Sequence, residues 1–254
     1  MLKRIPVLAL SLWMATMLTQ TTSAQDLSTA EEVIKAHIEA TGGQSAWQSV
    51  KDMYSEIEVV AATPMGDLTI EMKSWSIFPG YGYTEMGLLD GPDGIPAEAV
   101  SMKAYYTPLE GWIEQGGQRQ DMNALPPEAK QQFMRASAKT ELSLLDGETE
   151  LTLKESTTFN DRDVYVVGAT QFGMDTEIWV DQETLMIVAQ KAAGATTEMG
   201  GYQEIDGLLF SMGQVAETAQ GKQSVTIRKV ELNSGLTPSQ LAAKSGARKQ
   251  AVPE

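Results

Sequence analysis

The feature that most constrains this chain is a two-residue alternation that begins at Met53 and recurs, broken by short turns, as far as Leu232. In the first run Met53, Ser55, Ile57, Val59 and Ala61 alternate with Tyr54, Glu56, Glu58 and Val60. Successive side chains of a strand point to opposite faces, so this spells a strand with one buried and one wetter face. After the turn Pro64-Met65-Gly66-Asp67, Leu68, Ile70 and Met72 alternate with Thr69, Glu71 and Lys73. Residues 81–86 can return after Pro79-Gly80, and Val100, Met102, Ala104 and Tyr106 resume the pattern before a hairpin candidate through Trp112 to Gln118. Beyond Thr149, strands are expected over 150–157, 162–170, 176–181, 185–191, 196–203, 208–218 and 223–232. Asn160-Asp161, Asp181-Gln182-Glu183, Ala193-Gly194, Asp206-Gly207 and Gln220-Gly221-Lys222 make hairpin-type connections between them. About eleven strands at even spacing predict a mainly β chain built on one antiparallel sheet, curled or closed.

The helical signals are few. Ser28/Glu31 and Thr29/Glu32 both have capping-box spacing, and Val33, Ile34, Ile38 and His37 follow at helical intervals until Gly42-Gly43. Trp47, in a short second turn, reads as a packing anchor. Pro126-Pro127 opens a mid-chain helical island over 128–138, with Ala129, Phe133 and Met134 on one side. The tail 239–254 lacks a core pattern and is expected to be loose. Lys3 and Arg4, the apolar run 5–18 and Thr22-Ser23-Ala24 read as a secretory signal over 1–24, leaving 25–238 as a single domain. The expected location is periplasmic. No cysteine is available for a lipid anchor.

Composition removes several function classes. The chain has no cysteine and one histidine, which excludes thiolate zinc sites, cysteine nucleophiles and His-rich metal centres. Its formal charge of −15 disfavours nucleic acid as a partner. The G-x-S-x-G, H-E-x-x-H and phosphate-loop patterns do not occur, and Gly80-x-Gly82 is followed by Glu85 where the dinucleotide fingerprint needs glycine. The acids Asp161, Asp163, Asp175, Glu177, Asp181 and Glu183 are read as solvated turns and strand edges, and Asp90-Gly91-Pro92-Asp93-Gly94 as a plain turn rather than a calcium loop. No catalytic residue, metal ligand or cofactor is expected. The methionines Met53, Met72, Met102, Met186 and Met212 lie in strand-like stretches, where this flexible side chain can line a ligand cavity or fill an ordinary core.

The C-terminal half has a distinctive order of parts. Arg162-Asp163-Val164-Tyr165-Val166-Val167 is followed by Ile178-Trp179-Val180-Asp181, Glu183-Thr184-Leu185, and then Gly201-Tyr202-Gln203-Glu204-Ile205-Asp206-Gly207-Leu208-Leu209-Phe210. Together with Ala40-Thr41-Gly42-Gly43 after a helix, this resembles the exported bacterial outer-membrane lipoprotein carrier (LolA/LolB-like) superfamily, although Ser211 stands where a proline is usual. The resemblance implies a non-catalytic α+β, mainly β fold: a curled antiparallel sheet, a half-barrel, whose concave face is covered by the N-terminal and mid-chain helices, with acyl chains held between them. It carries over no individual ligand contact.

The sequence reading is therefore a soluble periplasmic carrier or chaperone for lipidated or other apolar ligands. Its partners would be a lipid, an acyl chain or a lipoprotein, and a membrane-associated protein for delivery. The expected ligand surface is Ile57, Val59, Leu68, Ile70, Met72 and Met102 on the apolar phase of their strands, with Phe133 and Met134 as part of a lid. The alternatives are a structural or interaction module with a filled core and, less favoured, a secreted hydrolase using carboxylates. An apolar cavity of roughly 300 Å³ or more would separate a carrier from a filled module.

Overall fold

The structure is a computed structural model that describes residues 27–125, 140–171, 174–218 and 221–246. The chain opens with α1 (Ala30–Ala40) and α2 (Gln44–Ser49). Of the two capping-box candidates, Thr29/Glu32 forms: Thr29 Oγ1 accepts from the Glu32 amide at 3.2 Å, and Glu32 Oε2 accepts from the Thr29 amide at 3.0 Å. Ala30, Val33, Ile34, His37 and Ile38 make the buried face of α1. The chain then turns through Gly42 and Gly43, both with positive φ.

Thirteen strands follow among the described residues. The first six are β1 (Asp52–Thr63), β2 (Gly66–Ile77), β3 (Tyr81–Asp90), β4 (Met102–Tyr106), β5 (Gly111–Gln115) and β6 (Gln118–Asp121). The other seven are β7 (Glu150–Phe159), β8 (Arg162–Gln171), β9 (Met174–Asp181), β10 (Ile187–Ala192), β11 (Ala195–Ile205), β12 (Leu208–Thr218) and β13 (Gly221–Leu232). All pair antiparallel in one sheet of order β6-β5-β4-β3-β2-β1-β13-β12-β11-β10-β9-β8-β7. Three of the expected tight connections have both central residues at positive φ: Asn160-Asp161, Ala193-Gly194 and Asp206-Gly207. That geometry matches the twist of the flanking strands.

The sheet is open, which corrects the expected curled half-barrel of about eleven strands. Its two ends are β6 and β7, which do not pair with each other. Alternation specifies that strands form and which faces they have. Closure depends on edge-to-edge pairing, for which a period of two carries no signal. The strand count rises because 111–121 makes two separate strands, β5 and β6. Among the described strands the only neighbours distant in sequence are β1 and β13, which join the two halves of the chain at the middle of the sheet.

The main core lies between α1, α2 and strands β8–β12, where Val33, Ile34 and Ile38 meet Tyr165, Val167, Ile178, Val180, Ile187 and Leu208. Trp47 anchors this layer. Its indole Nε1 donates to Thr41 Oγ1 at 3.1 Å, and its ring meets Phe210 edge-on at 5.1 Å. On the opposite face of the sheet, residues from the expected loose tail form a C-terminal helix, Pro238–Ser245. Its Leu241 is fully buried against Tyr83 and Tyr105. The mid-chain island with Phe133 and Met134 lies outside the described residues, as do 1–26. No helix among the described residues is long and apolar enough to cross a membrane.

Candidate functional site

Among the described residues, α1 and α2 cover only part of their face of the sheet. Where α1 and α2 end, a pocket of about 270 Å³ opens over the middle of the sheet. His37, Trp47, Val50 and Phe78 line one side, and β1, β10, β11, β12 and β13 supply the floor through residues such as Met53, Ile57, Met199, Phe210, Ile227 and Leu232. No Asp, Glu, Lys or Arg is among the lining residues.

Beyond Ile57 the register carries an apolar row across neighbouring strands: Ile227, Ile57, Met72, Met86 and Met102 stand opposite one another on β13, β1, β2, β3 and β4. A second row runs Val225, Val59, Ile70, Leu88, and Leu68 pairs with Ala61. Of the residues expected from the sequence, Ile57 lines the pocket, while Val59, Leu68, Ile70, Met72 and Met102 extend from it along these rows. All six are half-buried. Phe133 and Met134 lie outside the described residues. Met86 and Leu88 of β3 complete the rows; Met86 ends the stretch 81–86 that alternation indicated, and Leu88 lies beyond it because β3 runs to Asp90.

Of the C-terminal sequence motifs, only Tyr202, Leu209 and Phe210 line the pocket. Asp181 is a buried turn-former rather than a solvated edge: its Oδ1 accepts from the Glu183 amide at 3.0 Å, the Thr184 amide at 2.7 Å and Thr184 Oγ1 at 3.0 Å. This shapes the loop so that the Leu185 carbonyl accepts from His37 Nδ1 at 2.8 Å. His37 is therefore wholly buried as a tie between α1 and the sheet. Tyr202 donates its hydroxyl to the Ile187 carbonyl at 2.9 Å and presents its ring to the pocket.

The other face is built differently. Tyr54, Trp75, Tyr83, Tyr105 and Trp112 stand in register across β1–β5. Beside them runs a row of alternating sign, Lys229, Glu56, Lys73, Glu85, Lys103, Glu114 and Arg119. Opposite charges on neighbouring strands favour this register. Tyr54 donates to Glu56 at 2.6 Å and Tyr83 to Glu85 at 3.2 Å. Burial, reinforced by Glu85, pushes the Tyr83 phenol up to about 12. Lys244 of the C-terminal helix sits 4.7 Å over the Trp75 ring.

A larger hollow, about 630 Å³, lies at the ends of β7–β10, but Lys154, Asp175, Glu177 and Lys191 line it. Lys154 Nζ donates to Glu177 at 2.9 Å, which holds that carboxyl below its ordinary range. Such a surface offers little to an apolar ligand. Among the described residues no group of three or more His, Cys, Asp or Glu could hold a metal ion.

No protein-family model and no curated protein matches the sequence. Solved structures do match the fold. A DUF1329 family protein from Desulfovibrio piger superposes with a TM-score of 0.58 at 15% identity, over 85% of this chain and 98% of that one. A LolA superfamily protein from Nitrosomonas europaea superposes with a TM-score of 0.57 at 13% identity, over 85% and 98%. The chain shares their fold. At these identities the likeness concerns architecture alone.

Proposed function

We propose that this protein is a non-catalytic, exported carrier that holds an acyl chain or a similar apolar ligand between the helices and the sheet. The observation that carries the reading is a pocket without a charged lining residue that runs on into half-buried rows of Ile57, Met72, Met86 and Met102. Each methylene placed there leaves water at a gain of about 0.8 kcal/mol, and methionine adapts to irregular apolar shapes. The shared fold with a LolA superfamily protein supports the reading, as does the leader pattern of residues 1–24. A periplasmic setting, a lipoprotein cargo and a membrane-associated acceptor belong to the same proposal.

Met72→Lys tests it, because an unpaired ammonium in an apolar site is costly. The variant is expected to lose uptake of a fluorescent acyl probe while keeping the native circular dichroism. Full uptake by the folded variant would place the site elsewhere. At about 270 Å³ the pocket alone is slightly smaller than the roughly 300 Å³ expected of a carrier, which favours a filled structural module as the second reading. Native mass spectrometry separates them. Co-purified lipid supports the carrier, and failure of every acyl ligand to bind supports the module.

A further inference from the structure

Three neutral polar side chains of the pocket, Ser55, Gln190 and Gln214, have no hydrogen-bond partner among the described residues. Ser55 is buried, with 7% of its surface exposed. The pocket's other polar groups are engaged: His37 with Leu185, Tyr202 with Ile187, and Ser211 Oγ with the carbonyls of Gly200 and Gly213. The polar atoms of Ser55, Gln190 and Gln214 are open to the pocket rather than sealed in the core, so a ligand atom there can complete their bonds.

The chemistry of the three restricts the ligand. A carboxamide and a hydroxyl each donate and accept, and neither carries charge. No lysine or arginine lines the pocket to neutralise a carboxylate or phosphate, and the chain as a whole is strongly acidic, at −15. An anion taken in here would lose its hydration without gaining a counter-charge. Resting on the carrier reading above, we propose that the pocket selects an uncharged ligand head, an acyl ester or amide with hydroxyls, over a free fatty acid. Ser55, Gln190 and Gln214 would hydrogen-bond the head, and the chain would leave past Ile57 along Met72, Met86 and Met102. Three inter-strand spacings from β1 to β4 give that path about 14 Å.

The test compares two ligands with one acyl chain and different heads. 1-Monooleoylglycerol and oleate are titrated against Nile red bound to the wild-type protein at pH 8. The neutral ester is expected to displace the dye at concentrations at least ten-fold lower than oleate. Gln190→Leu/Gln214→Leu, checked for an unchanged thermal midpoint, is expected to shrink that preference to less than three-fold by weakening the ester. Gln214→Lys, which supplies a cation, is expected to strengthen oleate by ten-fold or more. Equal or tighter binding of oleate to wild-type protein, or an intact preference in the double leucine variant, overturns the proposal while leaving the carrier reading in place. Failure of the dye and both ligands to bind overturns the carrier reading and this inference with it.

Discussion

Single residues set the tolerances of this fold, and Gly42 is the tightest of them. Its φ is +124°, and a Cβ there would meet the Gly207 carbonyl oxygen and Leu208 Cδ2, each at 2.6 Å. The close approach lets the Leu209 amide donate to the Thr41 carbonyl at 2.9 Å, tying the end of α1 to the start of β12 beside the pocket. Gly42→Ala is expected to cost about 3 kcal/mol, combining backbone strain with a clash against backbone. Urea unfolding measures it, and a midpoint unchanged from wild type refutes it. Tyr83 makes a prediction of different sign logic. Its phenol ionises near 10 in an unfolded chain, but burial and Glu85 hold it neutral up to about 12 in the fold. The folded state therefore binds a proton that the unfolded state releases. This contribution is complete below pH 10 and is lost as pH rises towards 12. Burial raises Tyr54 and Tyr105 in the same direction, so Tyr83→Phe should reduce the alkaline loss of stability without abolishing it. Denaturant unfolding between pH 9 and 12, beside the tyrosinate absorbance, reads both quantities. An unchanged alkaline slope in the variant counts against the assignment.

At the scale of elements, a buried carboxylate holds the turn that leads into the C-terminal helix. Asp52 is buried at the start of β1, where it accepts from the Ser234 amide at 2.8 Å, Ser234 Oγ at 2.7 Å and the Gly235 amide at 3.1 Å. These bonds fix the turn that leads from β13 to the aromatic row. Asp52→Ala is expected to destabilise by about 2–4 kcal/mol and to speed hydrogen exchange at the Leu241 amide. Slow exchange at Leu241 in the variant would show that packing alone holds the helix. The same helix shows where sequence signals ran short. Thr237 and Gln240 have capping-box spacing and Pro238 follows the cap, so its start was legible. Leu241 is its only fully buried apolar side chain, too little to register as an amphipathic pattern. The strands behaved oppositely, because alternation in 53–61 or 68–73 is both a local signal and a statement of which face is apolar. The rows on β1 and β2 were readable for that reason. The pocket was not, since Trp47, Phe78, Gln190, Gln214 and Ile57 come from distant parts of the chain and meet only through the sheet order.

At the scale of the molecule, that order has a consequence for assembly. Strands β1–β6 run outward from the centre to one edge, and the chain resumes at the other edge with β7 before returning inward to β13. Every strand pair but one joins neighbours in the sequence, so each half can build its ladder locally. Among the strand pairs only β1 with β13 needs the halves together, through nine paired positions from Met53–Leu232 to Ala61–Gln223. The pocket also straddles this seam, with Ile57 on one side and Ile227 on the other. Asp52 reaches across it to Ser234. A chain divided between 125 and 126 should therefore reassemble from fragments 25–125 and 126–254, since the cut leaves the seam intact. The N-terminal fragment contains α1 and α2 but lacks the strands β8–β12 that bury them, so it should not fold cooperatively alone. Mixing the fragments is expected to restore the native circular dichroism and a single unfolding transition. Recovery should follow a concentration-dependent phase, because closing the seam becomes bimolecular. A cooperative transition in the isolated N-terminal fragment, or no association on mixing, would show that the two halves are not united by the β1–β13 pair.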